Sequence, residues 1–203
     1  MTPATQGLRV TEAAARRRSI RAYAPSPMPR ADIEAILAVA ALAPSAFNLQ
    51  PWRFVVIEDA VRKQMLAEAA RGQRQVLSAP AVVVLYTDMR DTLANVDAIV
   101  HPALSDERRA GALRSIERFF AERSDAERES WGTQQGYIAL GYLLLAAAEH
   151  GYQTSPMLGF ETDRVRTVLD LPSHVPVVAL MAMGHGVEEG RPHHRLPLTR
   201  LAR

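Results

Sequence analysis

Two amides and a hydroxyl, Ser45, Asn48 and Gln50, fall in one short run between Pro44 and Pro51. An amide side chain offers both a donor and an acceptor. Two amides held in fixed directions suit the edge of a flat heterocycle that alternates C=O with N–H. The prolines supply the stiffness. Pro44 lacks an N–H and ends the preceding helix, and Pro51 is expected to push Gln50 into extended backbone. Loops on a rigid scaffold concentrate binding residues, although the same stretch also reads as a polar turn between a helix and a strand.

A second cluster is basic: Arg16, Arg17, Arg18, Ser19 and Arg21. Guanidinium forks beside a hydroxyl make a phosphate clamp; the alternative is a solvated helix C-terminus, where cations are favourable anyway. The sequence contains no G-x-S-x-G elbow, no P-loop and no G-x-G-x-x-G after a strand. It contains no cysteine, which excludes disulfides, thiolate metal sites and cysteine nucleophiles. Its six histidines do not show ligand spacing, and no metal site is expected. An anion clamp and a stiff polar loop, without a nucleophile or acid–base pair, imply that a bound cofactor carries the chemistry. The net charge of +2 is too even to argue for nucleic acid, and no aromatics interleave with the arginines. The longest uncharged stretch, 132–148, is too short and too polar at its front to span a membrane. The N-terminus lacks an apolar signal region, so the cytoplasm is the expected location.

Around these residues, 203 positions fit one domain with a real core. A short helix over 11–18, with Thr11 as N-cap, carries the arginines to its end. An amphipathic helix over 30–42 (Ile33, Ile36, Leu37, Ala40, Ala41 inward) leads into the polar loop. The continuous apolar run Trp52–Ile57 predicts a strand buried on both faces. A helix over 60–71 has a Val61, Met65, Leu66, Ala69 stripe, and after a polar break at 72–75 a second apolar strand covers 81–87. Residues 89–130 are charge-rich and read as two or three helices, broken near His101 and Ser124. A helix over 127–150 is apolar all round in its second half, which demands burial on every side. A second copy of the chain is the simplest cover, with Gly136 and Gly141 permitting close approach. Gly151 ends this helix. A short extended segment at 154–160, a helix over 163–169 and a third apolar strand over 175–183 follow. Leu196, Leu198 and Leu201 suggest that the tail wraps a partner. The class is α+β or mixed α/β, one central sheet with helices packed on it.

Several segments, in order, resemble the nitroreductase family of FMN-dependent, NAD(P)H-oxidising enzymes. They are Arg17-Arg18-Ser19-Ile20-Arg21, the loop Ala43 to Trp52, Trp131 with Gln135 opening the apolar helix, Pro156-Met157-Leu158-Gly159-Phe160, and Gly184-His185-Gly186 with Arg195-Leu196-Pro197. The resemblance implies an α+β fold with a central, mainly antiparallel or mixed sheet, an intertwined homodimer and an extended C-terminal tail. It implies that Arg17, Ser19 and Arg195, with His193, hold the FMN phosphate and ribityl chain, and it counts Arg18 and Gln135 with the cofactor-binding set. Arg21 would lie at the pyrimidine edge of the flavin. Ser45, Asn48 and Gln50 would reach the ring from the partner subunit. The turn Pro156, Met157, Leu158, Gly159 would aim a backbone N–H at flavin N5, and Gln73 or Gln75 would touch the rim. NADH or NADPH would be the donor, and nitroaromatics or quinones the small-molecule oxidants, in a ping-pong exchange. Residues 89–131, with Phe119 and Phe120, would cover the substrate face. A non-enzymatic FMN-binding protein, or a flavin-destroying or dehalogenating relative on the same fold, are the alternatives. Neither nucleic acid nor membrane is expected as a partner.

Overall fold

The computed structural model describes residues 9–202. In chain order its elements are α1 (Val10–Arg16), α2 (Arg30–Ala41), a 3-10 turn (Ala46–Asn48), β1 (Trp52–Ile57), α3 (Ala60–Ala69), α4 (Arg74–Ser78) and β2 (Ala81–Thr87). Then come α5 (Met89–Ala94), α6 (Val96–Ile99), α7 (Asp106–Phe120), α8 (Asp125–Glu149), β3 (Gln153–Met157), α9 (Thr162–Leu169), β4 (Val177–Gly184) and α10 (Leu198–Leu201). The strands form one four-stranded sheet of order β1-β2-β4-β3, and every pairing is antiparallel. Of the two expected strand arrangements, the antiparallel one holds. The extended segment at 154–160 becomes a true strand over its first half.

Alternation along the inner strands builds two cores. Val83 and Leu85 of β2 with Met181 and Met183 of β4 face α2 and α8, joining Ile33, Ile36, Ala40 and Leu143. Val82 and Val84 with Leu180 and Ala182 face α3, α4 and α9, joining Leu66, Val76 and Val165. Period-two alternation with both faces covered is why these strands read as unbroken apolar runs. Each fully buried Leu or Ile here contributes about 1.5–3 kcal/mol relative to leaving it exposed. A third cluster, Leu49, Met89, Val100, Ile116 and Phe120 with Trp131 against it, holds α5–α7 onto the start of α8.

α8 is the element on which the rest is assembled. Ser124 caps it, its Oγ accepting from the Glu127 N–H at 3.3 Å while the Glu127 carboxylate accepts from the Ser124 N–H at 2.8 Å. At the other end Gly151 takes φ +81°, and the Tyr152 N–H donates to the Ala147 carbonyl at 2.9 Å, closing a Schellman motif. Gly136 is the point of closest approach to the sheet: a Cβ there would lie 2.7 Å from Val178 Cγ2.

Several expectations need correction. β1 is an edge strand, and its four middle residues are only half-buried, because its outer edge has no neighbouring strand among the described residues. Thr11 lies inside α1, which begins at Val10. Val61, Met65 and Ala41 are exposed; α3 buries Leu66, Ala67 and Ala69 instead. Gly136 serves contact with β4 rather than with another helix, and a Cβ on Gly141 would meet nothing within 4 Å among the described residues. α8 is not buried all round by its own chain: Tyr137, Ile138 and Tyr142 are 46, 40 and 39% exposed and form one stripe.

Candidate active site

The basic cluster is assembled from the two ends of the chain. After α1 the backbone turns along β3, where the Ile20 N–H donates to the Thr154 carbonyl at 3.1 Å and Ser19 forms a bridge with Thr154. The tail returns to the same place. His193 Nε2 lies 3.1 Å from the Ala14 carbonyl, which can only accept, so Nε2 carries the proton. Arg17, Arg18, Ser19, Arg21, His193 and Arg195 thereby line one cavity, with Arg191 and Pro192. No carboxylate is among these lining residues; Glu188 is engaged by the Arg21 backbone N–H at 2.6 Å. Partial burial, then the positive charge of Arg195 and of Arg18, lowers the Arg17 pKa. Clustered guanidinia without a facing carboxylate have the electrostatics of an anion cradle.

The polar loop is held from both sides. Gln135, buried on α8, accepts the Ala46 N–H on Oε1 at 3.1 Å. Ser45 Oγ accepts the Gln50 N–H at 2.9 Å. Arg53 donates through Nη1 to the Gln50 carbonyl at 3.1 Å and through Nη2 to Asp91 at 2.6 Å. Gln50 is not extended: its φ is +45°, and Phe47 and Asn48 sit at +56° and +59°. The tethers around the loop outweigh the bias that Pro51 imposes on the residue before it. Three non-glycine residues in the left-handed region are costly, and such strain clusters at ligand sites. Asn48 Nδ2 donates to the Ile99 carbonyl at 3.3 Å, and Gln50 Nε2 to the Asn48 carbonyl at 3.0 Å. Both line a separate cavity of about 410 Å³ with Arg53, Asn95 and His101.

The turn after β3 is exposed at Leu158 and Gly159 and buried at Met157, with Pro156 half-buried before it. Its partner is Gln73, whose Nε2 donates to the Gly159 carbonyl at 2.9 Å. Gln75 is buried and does not reach the surface of the turn itself. Phe120 is 2% exposed and packs edge-on against Trp131 and Phe119. Phe119 also meets the loop: its ring lies 5.1 Å from that of Phe47, with the Arg123 guanidinium 3.9 Å from its centroid.

Structure therefore brings together the arginines, Ser19 and His193, and separately the loop amides with Gln135, and Gln73 with Gly159. The arginine cavity and the amide cavity share no lining residue. Sequence reasoning missed Arg191, Phe47, Arg53 and Arg123. Arg191 was findable as part of a basic tail; nothing in the spacing pairs Arg53 with Gln50. Asp88, Glu129 and His174 are the one group among the described residues with ligand atoms close enough for a metal, within 4.8 Å of one another. Their carboxylates serve the α5 N-terminus: Asp88 accepts the Asp91 N–H at 2.9 Å, and Glu129 the Met89 N–H at 3.1 Å and the Arg90 N–H at 3.3 Å.

An antiparallel α+β chain with an anion cradle at its joined ends and a strained amide loop is the class that fold and site define. The nitroreductase family model matches residues 14–185. A Thermus thermophilus protein named NADH dehydrogenase is 49% identical over 189 residues, covering 93% of this chain and 92% of its own. YdgI of Bacillus subtilis strain 168, named as an NAD(P)H nitroreductase, is 33% identical and covers 92% of each chain. A crystal structure from Exiguobacterium sibiricum 255-15, in complex with FMN, superposes with a TM-score of 0.88 at 29% identity, covering 98% of this chain and 99% of that one. The chain belongs to the nitroreductase family. No helix among the described residues is long and apolar enough to cross a membrane.

Proposed function

We propose that this protein is an FMN-dependent oxidoreductase that uses NADH or NADPH to reduce small organic oxidants such as nitroaromatics and quinones. The observation that carries the reading is the cradle: five arginines, a serine and a histidine brought to one cavity from the two ends of the chain, with no carboxylate lining it. That donor set fits a phosphomonoester. The free N–H of Gly159 fits the family's turn toward the flavin ring: among the described residues it has no hydrogen-bond acceptor. When bound, FMN supplies two-electron transfer between a reduced nicotinamide and an oxidised acceptor.

The chain's own residues bind and orient. Arg17, Arg18, Ser19, Arg195 and His193 hold the phosphate end. Arg21 presents positive charge at the pyrimidine edge, which favours the reduced, anionic form. Asn48 and Gln50, the latter held by Ser45 Oγ, line a different cavity from the cradle, which supports this loop acting on the site of a second copy. The exposed Tyr137, Ile138, Tyr142 stripe on α8 supports the same homodimer. Donor and acceptor use one place in turn, under the cover formed by residues 89–131. Among the described residues no carboxylic acid lines either cavity, and solvent supplies protons.

Absorbance is the test. A yellow preparation with a flavin spectrum that bleaches anaerobically on addition of NADH or NADPH supports the enzyme. A yellow preparation that never bleaches makes it a binding protein. A colourless one that FMN cannot reconstitute ends the reading.

A further inference from the structure

The turn that follows β3 is oriented by two side chains behind it. Gly159 C=O can only accept, so the atom of Gln73 that lies 2.9 Å from it is the Nε2 donor. That assignment leaves Gln73 Oε1 as an acceptor, and Gln75 Nε2 donates to it at 2.8 Å. Gln75 is 6% exposed, in α4, beside Val76 of the second core. The two hydrogen bonds form a relay with one polarity: Gln75 fixes which way the Gln73 amide faces, and Gln73 fixes the Gly159 carbonyl. Within the turn the Phe160 N–H donates to the Leu158 carbonyl at 3.2 Å. A trans peptide points its C=O and N–H in opposite directions. The Leu158 carbonyl is turned in toward Phe160, so the Gly159 N–H of that peptide is turned out.

We propose that Gln75, acting through Gln73, is a positioning residue that sets the direction of the Gly159 N–H and so the affinity of the site for FMN. The proposal rests on the reading above for the identity of the ligand. It does not rest on it for the relay, which is a property of the protein alone. Gln75 touches no ligand; its effect passes through one half-buried amide and one carbonyl. An amide that lost its orienting donor would populate both flips, and the flipped form sets Oε1 against the Gly159 oxygen.

The test uses two readouts: FMN affinity by flavin fluorescence, and hydrogen exchange of residues 157–160 in protein stripped of FMN. Gln75→Leu removes the donor and keeps an apolar filler. It is expected to bind FMN about tenfold more weakly, the effect of losing one oriented hydrogen bond, and to speed exchange in the turn. Gln75→Glu is the sharper variant. Ionised, it can only accept, so it draws Gln73 Nε2 away from Gly159; protonated, it donates to Gln73 Oε1 and restores the relay. Burial raises a carboxyl pKa, so FMN affinity of Gln75→Glu is expected to recover to within about twofold of wild type on acidification, with Gln75→Leu showing no recovery. A purely structural role predicts no such rescue. Should Gln75→Leu fold poorly, Gln73→Leu breaks the same relay at its half-buried end and carries the same expectation. Wild-type affinity and wild-type turn exchange in Gln75→Leu or Gln73→Leu would overturn the proposal, as would a Gln75→Glu variant without pH rescue. If wild-type protein takes up no FMN, the cofactor reading fails, and turn exchange alone decides the relay.

Discussion

Arg17 shows how a single side chain can be placed for a charge it does not yet meet. Its pKa is lowered by partial burial and by the nearby positive charges of Arg195 and Arg18. A phosphate dianion would relieve that repulsion, so Arg17→Ala is expected to weaken FMN binding by about ten- to a hundredfold, as for loss of a charge-assisted bond. Fluorescence titration checks it, and the loss should shrink as salt is raised. Glu129 is the opposite case, a buried carboxylate whose pKa burial pushes up despite its backbone donors. Its folded pKa lies above the unfolded value, so the folded state binds the proton more tightly. The stabilisation this gives is complete below the unfolded pKa and is lost as pH rises through the folded one. Glu129→Gln is expected to flatten that slope in denaturant titrations run at several pH values. Glu129→Ala, which strands the Met89 and Arg90 N–H groups, is expected to be less stable than Glu129→Gln by about 2–3 kcal/mol at all of them.

At the scale of elements, α8 separates what its own sheet needs from what another surface needs. Gly132 and Gly136 face inward: a Cβ would lie 2.6 Å from Met89 Cγ at the first and 2.7 Å from Val178 Cγ2 at the second. Gly136→Ala is expected to lower stability by about 1–3 kcal/mol through overpacking. A Cβ on Gly141 would meet nothing within 4 Å among the described residues. There alanine would stabilise an isolated helix by about 1 kcal/mol. A fall in melting temperature for Gly141→Ala, with a weaker dimer by sedimentation, would place a second chain against that face. Most helices and the three apolar strands were legible in the sequence, because uninterrupted apolar runs and 3.6-residue stripes are written locally; β3, with Gln153, Thr154 and Ser155, read only as an extended segment. The edge position of β1 was not read, since apart from Arg53 its run is as apolar as that of the central strand β2. Nor was the left-handed backbone of Gln50. The rule for residues before proline is a local bias, and the tethers from Ser45, Arg53 and Asn48 that defeat it act through the fold. For the candidate site, the clustered arginines could be named from sequence and the resemblance joined Arg195 and His193 to them, but Arg191 became visible only where the tail returns to α1.

Among the described residues, the whole molecule leaves an apolar stripe on α8 uncovered, Tyr137, Ile138 and Tyr142, and exposes Leu196, Leu198 and Leu201 of the tail. Ile138→Asp is expected to yield monomer by analytical ultracentrifugation, and with it a preparation that retains less than about a tenth of the flavin, since half of each proposed site would be missing. A monomer that keeps its full yellow colour would show that one chain suffices.

The contact between His193 and the Ala14 carbonyl joins positions 179 residues apart in a protein with no cysteine to do so covalently. An anion bridging Arg17 and Arg195 would act there as a removable cross-link between the two ends of the polypeptide, favouring the closed arrangement by mass action. Inorganic phosphate alone should therefore shield the tail arginines from trypsin, and cargo loading would double as quality control: an empty molecule would be the one whose end comes loose for a protease.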